Sequence, residues 1–284
     1  MNQGIFVDPL HEAAFRTEGY VVLDLLDQAD VRALLDFYDT VEPMHRSPIG
    51  ISVLSNDLAQ RARIHAAVGA VFERALLPVL DNYRIALGNF VVKPGNCEYG
   101  KFQLHQDPSF IDEGELAGVT LWAPLCDVDA ANGYLGIVPR SHLLNQNYRP
   151  PGPLPYPQLV PQIEAGLMRY LPMRQGQVLF MDHRMFHGSP ANRSAHSRIV
   201  AAGVAVPRER RLLYCHVDHQ RGDGMLEIHE VPPDFYLRNA FSQRPAEGEL
   251  SESIPYQVSA LSAAALAAHV AACAAPLHPP SRST

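Results

Sequence analysis

Between Ile85 and Pro207 the chain runs as short stretches of β-branched and aromatic residues, broken repeatedly by Gly, Pro, Asn and Asp. Five of them, Phe90–Lys93, Val119–Ala123, Leu135–Val138, Gln177–Met181 and Ile199–Val206, have the length and composition of strands. Strands this short and this crowded with turn residues predict two antiparallel sheets folded on each other, a mainly β jelly roll. Helical periodicity is confined to the flanks. Gly19–Leu23 reads as a strand. Asp27 and Asp30 are N-cap residues ahead of an amphipathic stretch, Val31–Tyr38. Ala59–Leu80 reads as a helix with Val68, Val71, Phe72, Ala75, Leu76 and Val79 on one side, closed by Asp81-Asn82. Residues 145–161 form a proline-rich loop inside the β region, of a length that in compact domains is usually functional.

This pattern gives one domain over residues 1–275: a helical region at 1–84, a jelly-roll core at 85–207, and a less regular region at 208–275 next to the substrate. The last region ends in an alanine-rich helix over Ser259–Ala275, interrupted by Ser262 and His269. Residues 276–284 read as a disordered tail. With 47% hydrophobic and 19% charged residues the chain is globular. A net charge of −7, with Lys93 and Lys101 as its two lysines, argues against a nucleic-acid partner. No run of 18 apolar residues is present, and Asp8 and Glu12 sit where a secretory leader would be basic or apolar. Cys97, Cys126, Cys215 and Cys273 form no C-x-x-C pair, which disfavours a disulfide framework or structural zinc and fits a reducing cytoplasm.

The chemistry begins at His105-Gln106-Asp107. In extended chain, residues two apart share a face, so one imidazole and one carboxylate can meet one ion. By simple counting of matches, roughly 0.7 such H-x-D pairs are expected by chance, and two occur. Support comes from His187-Gly-Ser189, 82 residues after His105, and from Arg198, eleven residues further on. His187 completes a 2-His-1-carboxylate set, which leaves three positions open on Fe(II). An arginine on the next strand can point into the barrel and fork onto a carboxylate, and Ser189 can donate a hydroxyl to the same group. 2-Oxoglutarate carries a metal-chelating end and a distal carboxylate, so it matches the set at both ends.

These stretches resemble the phytanoyl-CoA dioxygenase-like family of Fe(II)/2-oxoglutarate oxygenases. The resemblance lies in FRTEGYVVLDLL near the start, LHQD at 104–107, TLWAPLCDVDAANGYLGIVPRSH at 120–142, and GQVLFMDHRMFHGSPANRS with Arg198 at 176–198. It implies a double-stranded β-helix of cupin-like type. His105, Asp107 and His187 would hold Fe(II), and Arg198 with Ser189 would hold 2-oxoglutarate. Gln106 and Trp122 would line the cosubstrate pocket. The implied reaction uses O2, oxidises a small organic substrate such as an amino acid or natural-product intermediate, and releases succinate and CO2. Hydroxylation is the default outcome; desaturation and ring closure use the same machinery. Asp107 disfavours halogenation, because halogenating relatives lack this carboxylate. The scarcity of lysine argues against an acyl-CoA substrate.

A second H-x-D, His216-Val-Asp218 with His229 and Arg238 downstream, leaves about 13 residues between its histidines, too few for a site built across a barrel. His183 and His187 would lie about 13 Å apart in extended chain, which makes His183 structural. Tyr148, Arg149 and Tyr156 in the proline-rich loop, and Arg208, Arg210 and Arg211 after the last core strand, are candidate substrate contacts. Asn132-Gly133 reads as a turn. Two other classes stay open from the residues: a cupin-like metal enzyme without 2-oxoglutarate, which has no use for Arg198, and a non-catalytic binding protein on the same fold.

Overall fold

Each of the first three helices starts on an aspartate. In the computed structural model, which describes residues 4–41, 48–239, 241, 243–246 and 248–272, Asp8 accepts the Leu10 N–H at the head of α1 (Pro9–Glu18). Gly19, at φ +84°, then turns the chain into β1 (Tyr20–Asp24). Asp27 and Asp30 cap α2 (Gln28–Tyr38) reciprocally, each side chain accepting the other's backbone N–H. After β2 (Gly50–Ile51), Asp57 caps α3 (Leu58–Ala75). The sequence carries this helix on to Leu80. The structure ends it at Ala75 and continues in a tighter 3₁₀ turn, Leu77–Val79, because Pro78 has no N–H and its ring opposes a further α-helical turn.

The core strands follow: β3 (Tyr83–Lys93), β4 (Phe102–His105), β5 (Val119–Pro124) and β6 (Leu135–Ile137), then α4 (Val160–Gly166), β7 (Arg169–Leu171), β8 (Gln177–Asp182), β9 (His187–Ser189) and β10 (Arg198–Pro207). They form two antiparallel sheets. The larger has the order β1-β8-β5-β10-β3-β2 and the smaller β4-β9-β6-β7. The two sheets face each other across a core of Trp122, Leu179, Met181, Val200 and Ala202 from the larger, and Leu135, Ile137 and Leu171 from the smaller. This is the expected jelly roll.

Alternation along β5 shows how the larger sheet divides the molecule. Val119, Leu121 and Ala123 point outward into a second core under α1, α2 and α3. Trp122, of opposite parity, points inward. Helix α3 comes close enough to rest on backbone: a side chain at Gly203 of β10 would meet the Leu87 carbonyl at 2.8 Å and the Phe72 ring at 3.0 Å.

Three differences from the sequence reading have local causes. β3 begins at Tyr83, seven residues before the expected Phe90, because Gly88 and Asn89 interrupt an apolar run without ending the strand. The stretch after Arg208 is more regular than expected: β11 (Leu212–Val217), β12 (Met225–Val231) and β13 (Glu249–Pro255) form a third antiparallel sheet, with α5 (Phe235–Arg238) between the last two strands. The final helix, α6, is shorter, Ala263–Ala271, and Ser262 is its N-cap rather than an interruption. Cys97, Cys126 and Cys215 are free thiols. Cys273 and the 276–284 tail lie outside the described residues. No helix among the described residues is long and apolar enough to cross a membrane.

Phe72 is fully buried at the junction of α3 and the larger sheet. Phe72→Ala is expected to lower the unfolding free energy by about 3–5 kcal/mol in urea titrations, and a loss below about 1 kcal/mol would contradict this packing.

Candidate metal centre

β4 and β9 are neighbours in the smaller sheet, and their pairing sets His105 directly opposite His187. The two rings lie 4.1 Å apart between centroids. Asp107 follows two residues after His105, just past the end of β4. Its Oδ1 is 3.7 Å from His105 Nε2 and 3.8 Å from His187 Nε2. One ligand atom from each of the three residues lies within 4.8 Å of the other two, and no other such His/Cys/Asp/Glu group occurs among the described residues.

The backbone sets which nitrogen each histidine presents. His105 Nδ1 lies 2.9 Å from the Gln103 carbonyl and His187 Nδ1 lies 3.0 Å from the Met185 carbonyl. A carbonyl only accepts, so each Nδ1 carries the proton and each Nε2 turns a lone pair toward Asp107. Burial, then the His187 ring, pushes the His105 imidazole down to about 4, against the pull of Asp107. Burial alone would raise the Asp107 carboxyl; His187, His105, His183 and the Thr120 hydroxyl outweigh it and hold Asp107 below its ordinary value. A neutral imidazole and an ionised carboxylate are the forms that bind a metal.

Arg198 opens β10 and is 2% exposed. Its guanidinium lies 5.4 Å over the Trp122 ring and donates to the Gly133 carbonyl. The Asn132-Gly133 turn therefore supplies Arg198 with an acceptor. Directly across from Arg198 in β3 stands Lys93, fully buried, whose ammonium donates to the Ser189 carbonyl at 3.1 Å and to the Pro190 carbonyl. Among the described residues neither basic group has a carboxylate partner, and Arg198 Nε has no hydrogen-bond partner. Burial pushes Arg198 down to about 10; burial and then the Arg198 charge push Lys93 down to about 6. The two halves of the site meet on β5: the Thr120 hydroxyl donates to Asp107 Oδ2, and Trp122, two residues on and about 7 Å along the same face, lies beneath Arg198.

The other residues singled out from the sequence present no ligand atom to this set. The Gln106 side chain is turned away from the face that His105 and Asp107 share. Its amide donates to the Asn145 and Arg184 carbonyls and accepts from Asn145, because a residue between two that share a face points to the opposite one. Tyr156 is buried and donates to the Ser259 carbonyl, which ties the proline-rich loop to the C-terminal segment. Arg149 is buried against Glu113. Tyr148 is half-buried beside Asp112 and lines a cavity of about 360 Å³. Arg208 donates to the Tyr83 carbonyl, Arg211 pairs with Glu230 on the surface, and Arg210 lines an open cleft with Glu12 and Asp81. Ten residues of extended chain, about 30 Å, separate Arg208 from Arg198. His216 is paired in register with Glu227 rather than with His229, and Arg238 is held by Asp234. His183 is buried beside Glu113.

The chain matches the phytanoyl-CoA dioxygenase (PhyH) family over residues 15–200. The chain belongs to this family. No curated protein matches it. Two similar solved structures are HygX from Streptomyces hygroscopicus with nickel, 2-oxoglutarate and hygromycin B bound, and SnoK, a non-haem α-ketoglutarate-dependent carbocyclase from nogalamycin biosynthesis. HygX is 16% identical, with 72% of this chain and 88% of that chain covered and a TM-score of 0.51. SnoK is 19% identical, with 72% and 86% covered and a TM-score of 0.51. At these identities the likeness is one of fold, the family's jelly roll.

Thr120 and Lys93 are not evident as site residues in the sequence; only the sheet register brings them to Asp107 and Arg198. Thr120→Val removes the hydroxyl that orients Asp107 and is expected to weaken divalent-metal binding about tenfold in a Mn(II) titration, with Thr120→Ser restoring it. Equal affinities for wild type and Thr120→Val would contradict this role.

Proposed function

We propose that this protein is an Fe(II)/2-oxoglutarate-dependent dioxygenase that hydroxylates an aliphatic C–H of a small organic substrate, such as an amino acid or natural-product intermediate. The observation that carries this reading is the buried Arg198 guanidinium, without a carboxylate partner among the described residues and with the buried Lys93 amine across from it, next to a set of two imidazoles and one carboxylate. Burying a charge without a counter-charge is costly. A dicarboxylate that chelates a metal at one end and carries a second anion at the other meets both demands. Membership of the phytanoyl-CoA dioxygenase family supports the same cosubstrate.

In this reading His105 Nε2, His187 Nε2 and an Asp107 oxygen hold the iron. The donor set suits it: two borderline nitrogens and one hard oxygen, with room for further ligands. When bound, iron, 2-oxoglutarate and O2 supply the oxidising power, with succinate and CO2 as co-products. Arg198 forks onto the distal carboxylate, and Lys93 and the Ser189 hydroxyl complete its cradle. Trp122 covers the guanidinium and keeps water from it. Thr120 holds Asp107 turned toward the metal. The substrate is a small molecule. Hydroxylation is the reaction proposed, and SnoK, described as a carbocyclase that depends on the same oxoacid, indicates ring closure as the alternative to assay for.

Arg198→Ala is expected to raise the 2-oxoglutarate concentration needed for half-maximal succinate release at least 30-fold, corresponding to about 2–4 kcal/mol, while Mn(II) affinity stays unchanged. An unchanged cosubstrate requirement would dismiss the oxoacid. Lys93 adds a pH dependence. With its amine at about 6 in the free protein, Lys93 is mostly neutral at pH 7.5. A carboxylate beside it favours the ammonium, so binding takes up a proton and affinity falls as pH rises above 6. Calorimetry of 2-oxoglutarate binding at pH 7.5, in buffers of different ionisation enthalpy, should show this uptake in wild type and its loss in Lys93→Met. No uptake in wild type would contradict the cradle.

A further inference from the structure

Asp107 has a weakness that its role as a ligand does not tolerate. It sits just beyond β4, near the start of a segment, residues 106–118, that has neither helix nor strand. No sheet ladder fixes its peptide groups. Both are fixed by other means. The Asp107 N–H donates to the His183 carbonyl at 2.9 Å, and its carbonyl accepts from Arg149 Nε at 2.9 Å.

Arg149 lies in the proline-rich loop and is 4% exposed. Its guanidinium makes three bonds at once: to the Asp107 carbonyl, to the Asn147 carbonyl at 3.0 Å, and to Glu113 Oε2 at 2.5 Å. Its backbone is also tied in, because Arg149 N donates to Ser109 Oγ and Ser109 N donates to the Arg149 carbonyl. Glu113, itself 7% exposed, places its other oxygen 3.4 Å from His183 Nδ1. Three residues from three separate loops thus close a ring around the Asp107 backbone. One side of the ring also walls the cavity lined by Ser109, Glu113 and Tyr148, against Leu226 and Ile254 of the C-terminal sheet.

We propose that Arg149 is a positioning residue for the metal centre. Oriented by Glu113, it holds the Asp107 main chain in the place from which the carboxylate can reach an ion shared with His105 and His187. The proposal rests on the reading of that triad as a metal site. It assigns Arg149 to the metal rather than to the substrate and gives the proline-rich loop a direct hold on a ligand. The planar fork is essential, since a lysine ammonium opposite Glu113 keeps the charge but cannot span the same three acceptors.

The test is calorimetric titration of the full-length apo-protein with Mn(II) alone, alongside its thermal unfolding. The variants are Arg149→Lys and the double variant Glu113→Leu/Arg149→Met, which replaces a buried ion pair by apolar groups of similar size and leaves no lone charge buried. Arg174→Ala, from an exposed pair with Asp24, is the control. Expected are folded proteins throughout, with unfolding well above the titration temperature, Mn(II) affinity about 10–100-fold weaker in the two Arg149 variants, and affinity unchanged in the control. Affinity equal to wild type in both Arg149 variants, or affinity lost only together with the folded state, overturns the positioning role. A wild type that binds no Mn(II) overturns the metal centre, and the positioning role with it.

Discussion

A guanidinium buried at one end of the barrel, with no carboxylate to neutralise it among the described residues, is the constraint around which the rest of the structure is arranged. Arg198 is 2% exposed, and the residue facing it across the strand pair is a second buried basic residue, Lys93. Their protein partners are carbonyls of Gly133, Ser189 and Pro190 together with the face of Trp122. Carbonyl dipoles and an aromatic face lessen the cost of burying the Arg198 charge but do not cancel it. In the proposed reading, an anion bound at this end of the barrel supplies the missing counter-charge.

The metal-binding side is arranged by the backbone rather than by charge. Gln103 and Met185 each turn one imidazole by accepting its Nδ1 proton, so that both Nε2 atoms face Asp107. Asp107 is held at its carboxylate by Thr120 and at its peptide groups by His183 and Arg149. β4, β5, β9 and the proline-rich loop therefore each control one degree of freedom of a three-residue set. In the proposed reading, a change at Thr120 or Arg149 reaches the metal without touching it.

What was legible in the sequence follows from which signals are local. His105 and Asp107 share a face because they are two apart, and His187 and Arg198 carry the spacing of two strands that follow one another in the chain, one in each sheet. The same alternation excludes Gln106 from that face, a consequence the motif contains by itself. Lys93 and Thr120 were not legible, because only the pairing of β3 with β10 and of β5 with β8 and β10 determines which of their residues point inward. Arg149 reads as a substrate contact in the proline-rich loop until Glu113, 36 residues earlier, is seen against it. The third sheet was hidden by the charged run at 208–211, which reads as the end of regular structure, although it only separates β10 from β11.

The central claim is that one chamber holds a metal at His105, Asp107 and His187 and an oxoacid anchored by Arg198. Its most direct test is an anaerobic spectral titration, adding Fe(II) and then 2-oxoglutarate to purified apo-protein, with wild type and Arg198→Ala side by side. The account predicts a weak visible charge-transfer band in the wild type that needs both additions and is weakened or absent in the variant at the same cosubstrate concentration. A folded, iron-loaded wild type that develops no band with 2-oxoglutarate would contradict it.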